Sequence, residues 1–161
     1  MTTDRWANLK QLTDARIGLG RSGAAMTTRE VLNFALSHAM ARNAVTTPLD
    51  WGPIERGLQG LGLKTLRIKS ATHDRSEYLR RPDLGRQLSP DARETLTGAI
   101  EESVATPDLV VLVGDGLSSL GVAANVVPML RAFLQHVRQA GWKLGPVVLA
   151  DDARVALGGE T

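Results

Sequence analysis

The sequence contains no cysteine, and this absence excludes disulfide bonds and metal sites built on thiolates. It has no run approaching the ~18 apolar residues of a membrane-spanning helix, and its first residues lack the apolar core of a secretion signal. Charge of one sign does not dominate either, since 19 Lys and Arg residues face 17 Asp and Glu residues. A nucleic-acid-binding protein concentrates basic residues along one helix or stripe, whereas here they are dispersed. These absences predict a soluble, cytoplasmic protein that binds neither nucleic acid nor a membrane.

The chain has 161 residues, a length that suits one globular domain. The rest of the chain is organised around the stretch Asp108–Gly121. Residues Leu109–Val113 form an unbroken apolar run, which is typical of a parallel strand buried on both faces. Small residues after the run let the backbone turn sharply before a helix. Ligands of open α/β sheets gather at the carboxyl ends of the strands, so Asp115, Gly116 and Ser118 are candidate binding residues.

Two further strands and a connecting helix extend this unit. Pro146–Ala150 is predicted as a second buried strand, and Leu63–Lys69, which mixes apolar and basic residues, as a half-exposed edge strand. A helix near Pro128–Ala140, ended by Gly141 in the left-handed conformation, joins the two apolar strands into a βαβ unit. Because two or three strands are few for this architecture, the chain is expected to be cut short, with apolar surface left for more chain or a partner.

The helices are placed by their caps and by apolar spacing. Thr27 and Glu30 form a capping box at the start of one helix, whose apolar face is expected to be buried. Ser89 is predicted to cap another helix, which runs to about Val104. The apolar face of the first of these helices comprises Val31, Leu32, Ala35, Leu36 and Ala39. Shorter helices are predicted within Asp4–Asp14 and Leu49–Gly62.

Together these segments predict an α/β fold, a Rossmann-like parallel sheet with flanking helices, preceded by a helical N-terminal region. The predicted boundary separates that helical region, residues 1–62, from a partial sheet domain, residues 63–161.

One glycine motif admits two interpretations. Gly18, Gly20 and Gly23 have the G-x-G-x-x-G spacing of a dinucleotide-binding loop, which would make the chain an NAD(P)-dependent oxidoreductase. However, no proper strand precedes the motif, and Asn43 rather than an acid lies ~20 residues after it. The alternative is a glycine-rich connector in which Arg21 reaches a neighbouring carboxylate or subunit.

The segment Tyr78–Leu88 combines three arginines with a proline and a glycine that fix the backbone. The forked guanidinium group of arginine prefers a carboxylate or phosphate partner. The segment is therefore interpreted either as a subunit contact or anion site, or as a surface turn with solvated charges. The preceding Ala71–Glu77 is polar and is expected to be a solvated loop, in which His73 and Asp74 have no nucleophile to serve.

Four segments, in matching order and spacing, resemble those of a known family. They are ARIGLGRSG at Ala15–Gly23, YLRRPDLGRQL at Tyr78–Leu88, GDGLSSLGV at Gly114–Val122 and ADDARVALG at Ala150–Gly158. On these segments the chain, over nearly its whole length, resembles the small (light) subunit of adenosylcobalamin-dependent ethanolamine ammonia-lyase.

The resemblance implies a clamp on a cofactor. In this family a large barrel subunit holds the substrate and the small subunit closes over the cobalamin, whose cobalt–carbon homolysis starts the conversion of ethanolamine to acetaldehyde and ammonia. Arg154 and Val155 match a segment that contacts cobalamin. No catalytic residue is implied, because the cofactor carries the radical chemistry. No metal ligand is implied either, because Leu117 stands where other cobalamin proteins have the histidine of a D-x-H-x-x-G box. The predicted cofactor-binding residues are Val155, Arg154, Asp115, Gly116 and Ser118.

The implied partners are the large subunit and further copies within the full oligomer, in the cytoplasm or alternatively in a bacterial microcompartment. Family members continue into a glycine-glutamate-arginine-proline-glycine-leucine stretch with further cobalamin contacts, and some carry a long N-terminal extension for microcompartment targeting. This sequence contains neither, so the chain alone is expected to be inactive. A third hypothesis is a non-catalytic assembly domain whose exposed apolar strand drives self-association.

Overall fold

The computed structural model describes residues 6–101 and 106–159. The chain divides into two compact units, Met1–Arg42 and Asn43–Thr161. The boundary expected after residue 62 stays a prediction.

The first unit contains short elements and most of one long helix. Helix α1 spans Ala7–Lys10, within the predicted helix Asp4–Asp14, of which residues 4 and 5 lie outside the described residues. Strands β1 (Arg21–Ser22) and β2 (Ala25–Met26) form an antiparallel hairpin. Helix α2, Thr28–Thr46, begins directly after the predicted cap.

The prediction of a buried face on α2 is wrong, because none of its residues is buried. The physical reason is the distribution of its apolar residues, which point in several directions around the helix instead of forming one stripe. The large apolar side chains exposed on it are Val31, Leu32, Phe34, Leu36 and Met40.

The second unit is built on a three-stranded parallel sheet with strand order β3-β5-β4. The strands are β3 (Thr65–Lys69), β4 (Leu109–Gly114) and β5 (Leu144–Asp151). The flanking helices are α3 (Gly52–Gln59), α4 (Arg75–Arg80), α5 (Pro90–Glu101) and α6 (Ser119–Ala140), with 3-10 turns at Leu84–Arg86 and Val155–Gly159. The prediction of a parallel sheet with flanking helices is confirmed, and so is the edge position of β3.

The prediction that Leu109–Val113 forms a strand buried on both faces is wrong. Strand β4 lies at an edge of the sheet, and of its residues only Val113 is buried. The central strand is β5, where Val147–Ala150 are all buried. Both segments are apolar runs, and an apolar run does not encode which strand pairs on two sides.

Alternate residues of β5 belong to two hydrophobic clusters. Val147 and Leu149 pack in one cluster with residues of α3 and α6, and Val148 and Ala150 pack in the other with residues of α5 and the last 3-10 turn. This period of two puts helical layers on both faces of the sheet.

Helix α6 starts nine residues before the predicted position, since Pro128 lies inside it rather than at its first turn. Its end is as predicted, because Gly141 has a left-handed φ of 70°. Leu130, Leu134 and Val137 form a buried stripe along it, with Phe133 partly buried beside them. Among the described residues, α6 is the one helix that is long and apolar enough to cross a membrane, a property that the core helices of soluble proteins share.

Two other helix predictions have different outcomes. Ser89 caps α5 as predicted, because its Oγ accepts the N–H of Ala92 at 3.1 Å, whereas the predicted end near Val104 lies outside the described residues. The expected loop Ala71–Glu77 is wrong in its second half, where α4 begins. The signal for α4 was a capping pattern, since Asp74 accepts the N–H of Glu77.

Candidate functional site

The carboxyl ends of β4 and β5 lie side by side, and Gly114 is in register with Ala150. Asp115 follows β4 and Asp152 follows β5, and both carboxylates are buried. We call this place the carboxyl edge, comprising the turn 114–118 and the segment 151–157. The adjacency that the sequence predicted for these two segments is confirmed.

One guanidinium group joins the two strand ends. Arg75 Nη1 donates to Asp115 Oδ2 at 3.2 Å and to Asp152 Oδ1 at 3.0 Å. Its Nη2 donates to the carbonyl oxygen of Asp115 at 3.2 Å, and its Nε to the carbonyl oxygen of Val45 at 2.9 Å. Arg75 therefore connects α4, both strand ends and the last turn of α2. Sequence reasoning missed it, because its partners lie 40, 77 and 30 residues away.

Burial raises the pKa of the Asp115 carboxyl above its ordinary value. The nearby guanidinium of Arg75 acts in the opposite direction, and the neighbouring Asp152 adds to the rise. Oxygen Oδ1 of Asp115 is buried without a hydrogen-bond partner among the described residues. This carboxylate thus depends on Arg75 for its charge compensation.

Tyr78 is fully buried beside this ion pair. Two guanidinium groups lie over its ring, with Cζ of Arg75 at 4.8 Å and Cζ of Arg154 at 4.7 Å from the ring centroid. Burial raises the pKa of the Tyr78 phenol, against the effect of the two arginines, so the hydroxyl stays neutral. The hydroxyl oxygen has no hydrogen-bond partner among the described residues.

Two glycines make room for this arrangement. A side chain at Gly116 would overlap the carbonyl oxygen of Ala153 and the hydroxyl oxygen of Tyr78. A side chain at Gly85 would come within 2.8 Å of the Tyr78 ring and 3.0 Å of Cγ of Arg154. The carbonyl oxygen of Gly85 also accepts the backbone N–H of Arg154 at 2.8 Å. The segment Tyr78–Leu88 thus packs against the carboxyl edge.

Backbone strain occurs in the same place. Asp152 has a φ of 51°, in the left-handed region that a residue with a side chain rarely adopts. Its carbonyl oxygen accepts the hydroxyl of Ser70 at 2.8 Å, and that hydroxyl also bonds Thr72 at 2.9 Å. These bonds, with the Arg75 pair, hold the turn that leads into Arg154.

The five predicted binding residues have different environments. Asp115 is buried and pairs with Arg75. Gly116 packs against Ala153, and the guanidinium of Arg154 lies over the ring of Tyr78. Val155 points into solvent with 98% of its surface exposed. Ser118 lies in the same turn, but its hydroxyl caps α6 by accepting the N–H of Gly121 at 3.0 Å.

Replacing Ser118 by alanine is expected to lower the free energy of unfolding by about 1 kcal/mol, because one N-terminal N–H of α6 loses its acceptor. Urea unfolding of the chain measures this change. Ser118→Asp is the matched control, since its carboxylate restores an acceptor and suits the helix dipole. Equal losses in both variants would contradict the capping role.

The surface of Tyr78–Leu88 carries a local ion pair. Arg81 Nη2 lies 2.6 Å from Asp83 Oδ2, and both side chains are more than half exposed. Hydrogen bonding from Arg81 lowers the pKa of Asp83 to about 2. Arg81 therefore already has a carboxylate partner within the segment.

The glycine motif at 18–23 does not have the surroundings of a dinucleotide loop. It runs into the hairpin of β1 and β2, whose turn contains Gly23 at a φ of 63°. Helix α2 begins only at Thr28, after that hairpin. A dinucleotide loop would join a parallel strand directly to a helix.

Comparison with known proteins decides the family. Residues 3–161 match the family described as ethanolamine ammonia-lyase light chain (EutC). The chain belongs to this family. The resemblance found in the sequence is thereby confirmed.

Curated relatives agree with the family match. The chain is 41% identical over 159 residues to an ethanolamine ammonia-lyase small subunit of Azotobacter vinelandii, covering 99% of this chain and 59% of that protein. Proteins of the same name from Rhodopseudomonas palustris and Xanthomonas campestris pv. campestris are each 44% identical, over 95% and 98% of this chain and 58% of their own length. This light chain family member therefore spans under two thirds of the length of these relatives.

Proposed function

We propose that this chain acts in the small subunit of an ethanolamine ammonia-lyase and that its carboxyl edge holds adenosylcobalamin against the large subunit. The observation that carries the proposal is the contact of Ala153, directly before Arg154 and Val155 in the chain, with Gly114 and Gly116 at one edge of the sheet. The family match and the names of the relatives support the subunit role. Its partners in this role would be the large subunit and further copies within the oligomer. Its location would be the cytoplasm or a bacterial microcompartment.

The residues at the carboxyl edge fit a corrinoid. Such a ligand presents a broad apolar ring with amide side chains and a phosphate, so it needs exposed apolar contacts and hydrogen-bond donors. Val155 is 98% exposed and Leu117 is 87% exposed, which is unusual for apolar side chains at a strand end. Arg154 supplies N–H donors next to Val155. The carboxylates of Asp115 and Asp152 both pair with the guanidinium of Arg75.

When bound, adenosylcobalamin would supply the radical that removes a hydrogen atom from ethanolamine. The residues of this chain would bind and orient the cofactor and exclude water from it. No acid or base role is assigned to them, since Asp115 is held in an ion pair and Tyr78 stays neutral in a buried position.

Co-purification with the large subunit of an ethanolamine ammonia-lyase tests the subunit role. We expect a stable complex that retains cobalamin through gel filtration. Separation of the two chains in the presence of cobalamin would refute the proposal.

Val155→Asp tests the cofactor contact in the same complex. We expect cobalamin affinity to fall about tenfold or more, since a buried valine contact contributes roughly 1.5–3 kcal/mol. Co-purification should be unchanged. Met129→Asp is the control, because Met129 is a half-exposed apolar residue on α6, about ten residues from its start. Unchanged affinity in Val155→Asp would show that cobalamin is held elsewhere.

A further inference from the structure

The two arginines that flank the Tyr78 ring differ in their hydrogen bonding. Arg75 uses Nε, Nη1 and Nη2 on carboxylate and carbonyl oxygens. Arg154 makes no side-chain hydrogen bond or ion pair within the described residues, and its buried Nε is without a partner. Arg75 thus uses all three of its guanidinium nitrogens, whereas Arg154 uses none of its side-chain donors within the described residues.

A ring face attracts a guanidinium without accepting any of its N–H groups. The Tyr78 ring can therefore fix where the Arg154 guanidinium lies and still leave its donors for an external acceptor. The ring itself cannot shift, since it is fully buried and is enclosed by Gly85 and Gly116, neither of which leaves room for a side chain. The hydroxyl of Tyr78, by contrast, bonds nothing among the described residues.

We propose that Tyr78 is a positioning residue for Arg154, whose guanidinium its ring holds ready to donate to an oxygen of the bound cobalamin. This inference rests on the proposed function, which makes the carboxyl edge the cobalamin site. The ring is required and the hydroxyl is not. The acceptor is an amide carbonyl or the phosphate of the cofactor, since both are oxygens that suit a guanidinium.

Two substitutions at Tyr78 separate the ring from the hydroxyl. In the complex with the large subunit, Tyr78→Leu is expected to weaken cobalamin binding about tenfold, which corresponds to 1.4 kcal/mol. Tyr78→Phe keeps the ring and is expected to bind within about twofold of the unmodified complex. Equilibrium titration with cobalamin measures both. Titration with cobinamide, which lacks the phosphate, identifies the acceptor. If Tyr78→Leu weakens cobinamide binding as much as cobalamin binding, the acceptor is an amide. If Tyr78→Leu leaves cobinamide binding unchanged, the acceptor is the phosphate.

A general loss of stability would also accompany Tyr78→Leu, so a matched core variant is needed. Leu130→Ala removes a fully buried side chain from α6. It is expected to destabilise the fold and to leave the cobalamin affinity of the folded complex unchanged. An equal loss of affinity in Leu130→Ala and Tyr78→Leu would overturn the proposal.

A second measurement needs no cofactor. In the chain alone, Cζ of Arg154 lies 4.7 Å from the ring centroid of Tyr78, so the adjacent Nε–H proton is expected to resonate upfield in the NMR spectrum. Tyr78→Phe should keep this shift and Tyr78→Leu should abolish it. If the unmodified complex binds no cobalamin, the proposed function fails. If it binds and Tyr78→Leu binds equally well, or if Tyr78→Phe loses the affinity, the positioning role alone fails.

Discussion

Replacement of Arg75 by methionine will lower the free energy of unfolding by about 3–5 kcal/mol, because it leaves two buried carboxylates without their common partner. The side chains of Arg75, Asp115 and Asp152 are 13%, 5% and 11% exposed, so water compensates little for the loss. Urea unfolding followed by the fluorescence of Trp51, which is buried, measures the change.

The cost of Arg75→Met should depend on pH in a defined direction. Burial raises the pKa of folded Asp115 above 3.8, so the folded protein binds this proton more tightly than the unfolded chain does. Stability therefore falls as the pH rises through the interval between the unfolded and the folded pKa. Arg75 lowers the pKa of folded Asp115 against the effect of burial. Its removal therefore raises that pKa and extends the pH interval over which stability falls to higher pH. The loss should be largest at neutral pH and should shrink as the pH falls below 3.8, where Asp115 becomes protonated in the unfolded as well as in the folded protein.

Arg81→Met is the matched control, since Arg81 also pairs with a carboxylate but at the surface. No resolvable change in stability is expected from it at either pH. A cost of Arg75→Met that stays constant between neutral and acidic pH would show that uncompensated carboxylates do not cause it.

What the sequence predicted correctly about the fold is encoded locally. The edge strand β3 is marked by its basic residues, and the start of α5 by the cap Ser89. The end of α6 is marked by Gly141, which tolerates the left-handed conformation. Each of these signals lies within one turn or one strand of the feature that it predicts.

What sequence reasoning missed depends on contacts between distant segments. The order of β4 and β5 is set by pairing, and an apolar run at 109–113 looks the same at an edge as in the centre. The cluster around Arg75 and Tyr78 joins residues up to 77 positions apart, for which local pattern gives no signal. The adjacency of the turn 114–118 and the segment after β5 did follow from topology, because parallel strands bring their carboxyl ends to one edge.

Gly116→Ala is expected to destabilise the chain by about 1–3 kcal/mol, the cost of forcing an extra methyl group into a packed site. The added carbon would overlap the carbonyl oxygen of Ala153 and the hydroxyl of Tyr78. Because Gly116 is not among the glycines with positive φ, the cost is steric and not conformational. Displacement of Ala153 would also move Arg154, so cobalamin affinity of the complex should fall together with stability.

Gly98→Ala makes the same chemical change where space is open, since no atom lies within 4 Å of the added carbon in α5. It should raise the free energy of unfolding by about 0.5–1 kcal/mol, because alanine favours a helix interior. The same glycine-to-alanine change should thus lower the free energy of unfolding at position 116 and raise it at position 98, measured by urea unfolding under the same conditions.

Adding Tyr78→Phe to Gly116→Ala removes one of the two overlapping atoms, so the double variant should lose less stability than the sum of the single changes. Additive losses would mean that the hydroxyl of Tyr78 does not limit the space at Gly116, and the carbonyl of Ala153 alone would then set the packing of the carboxyl edge.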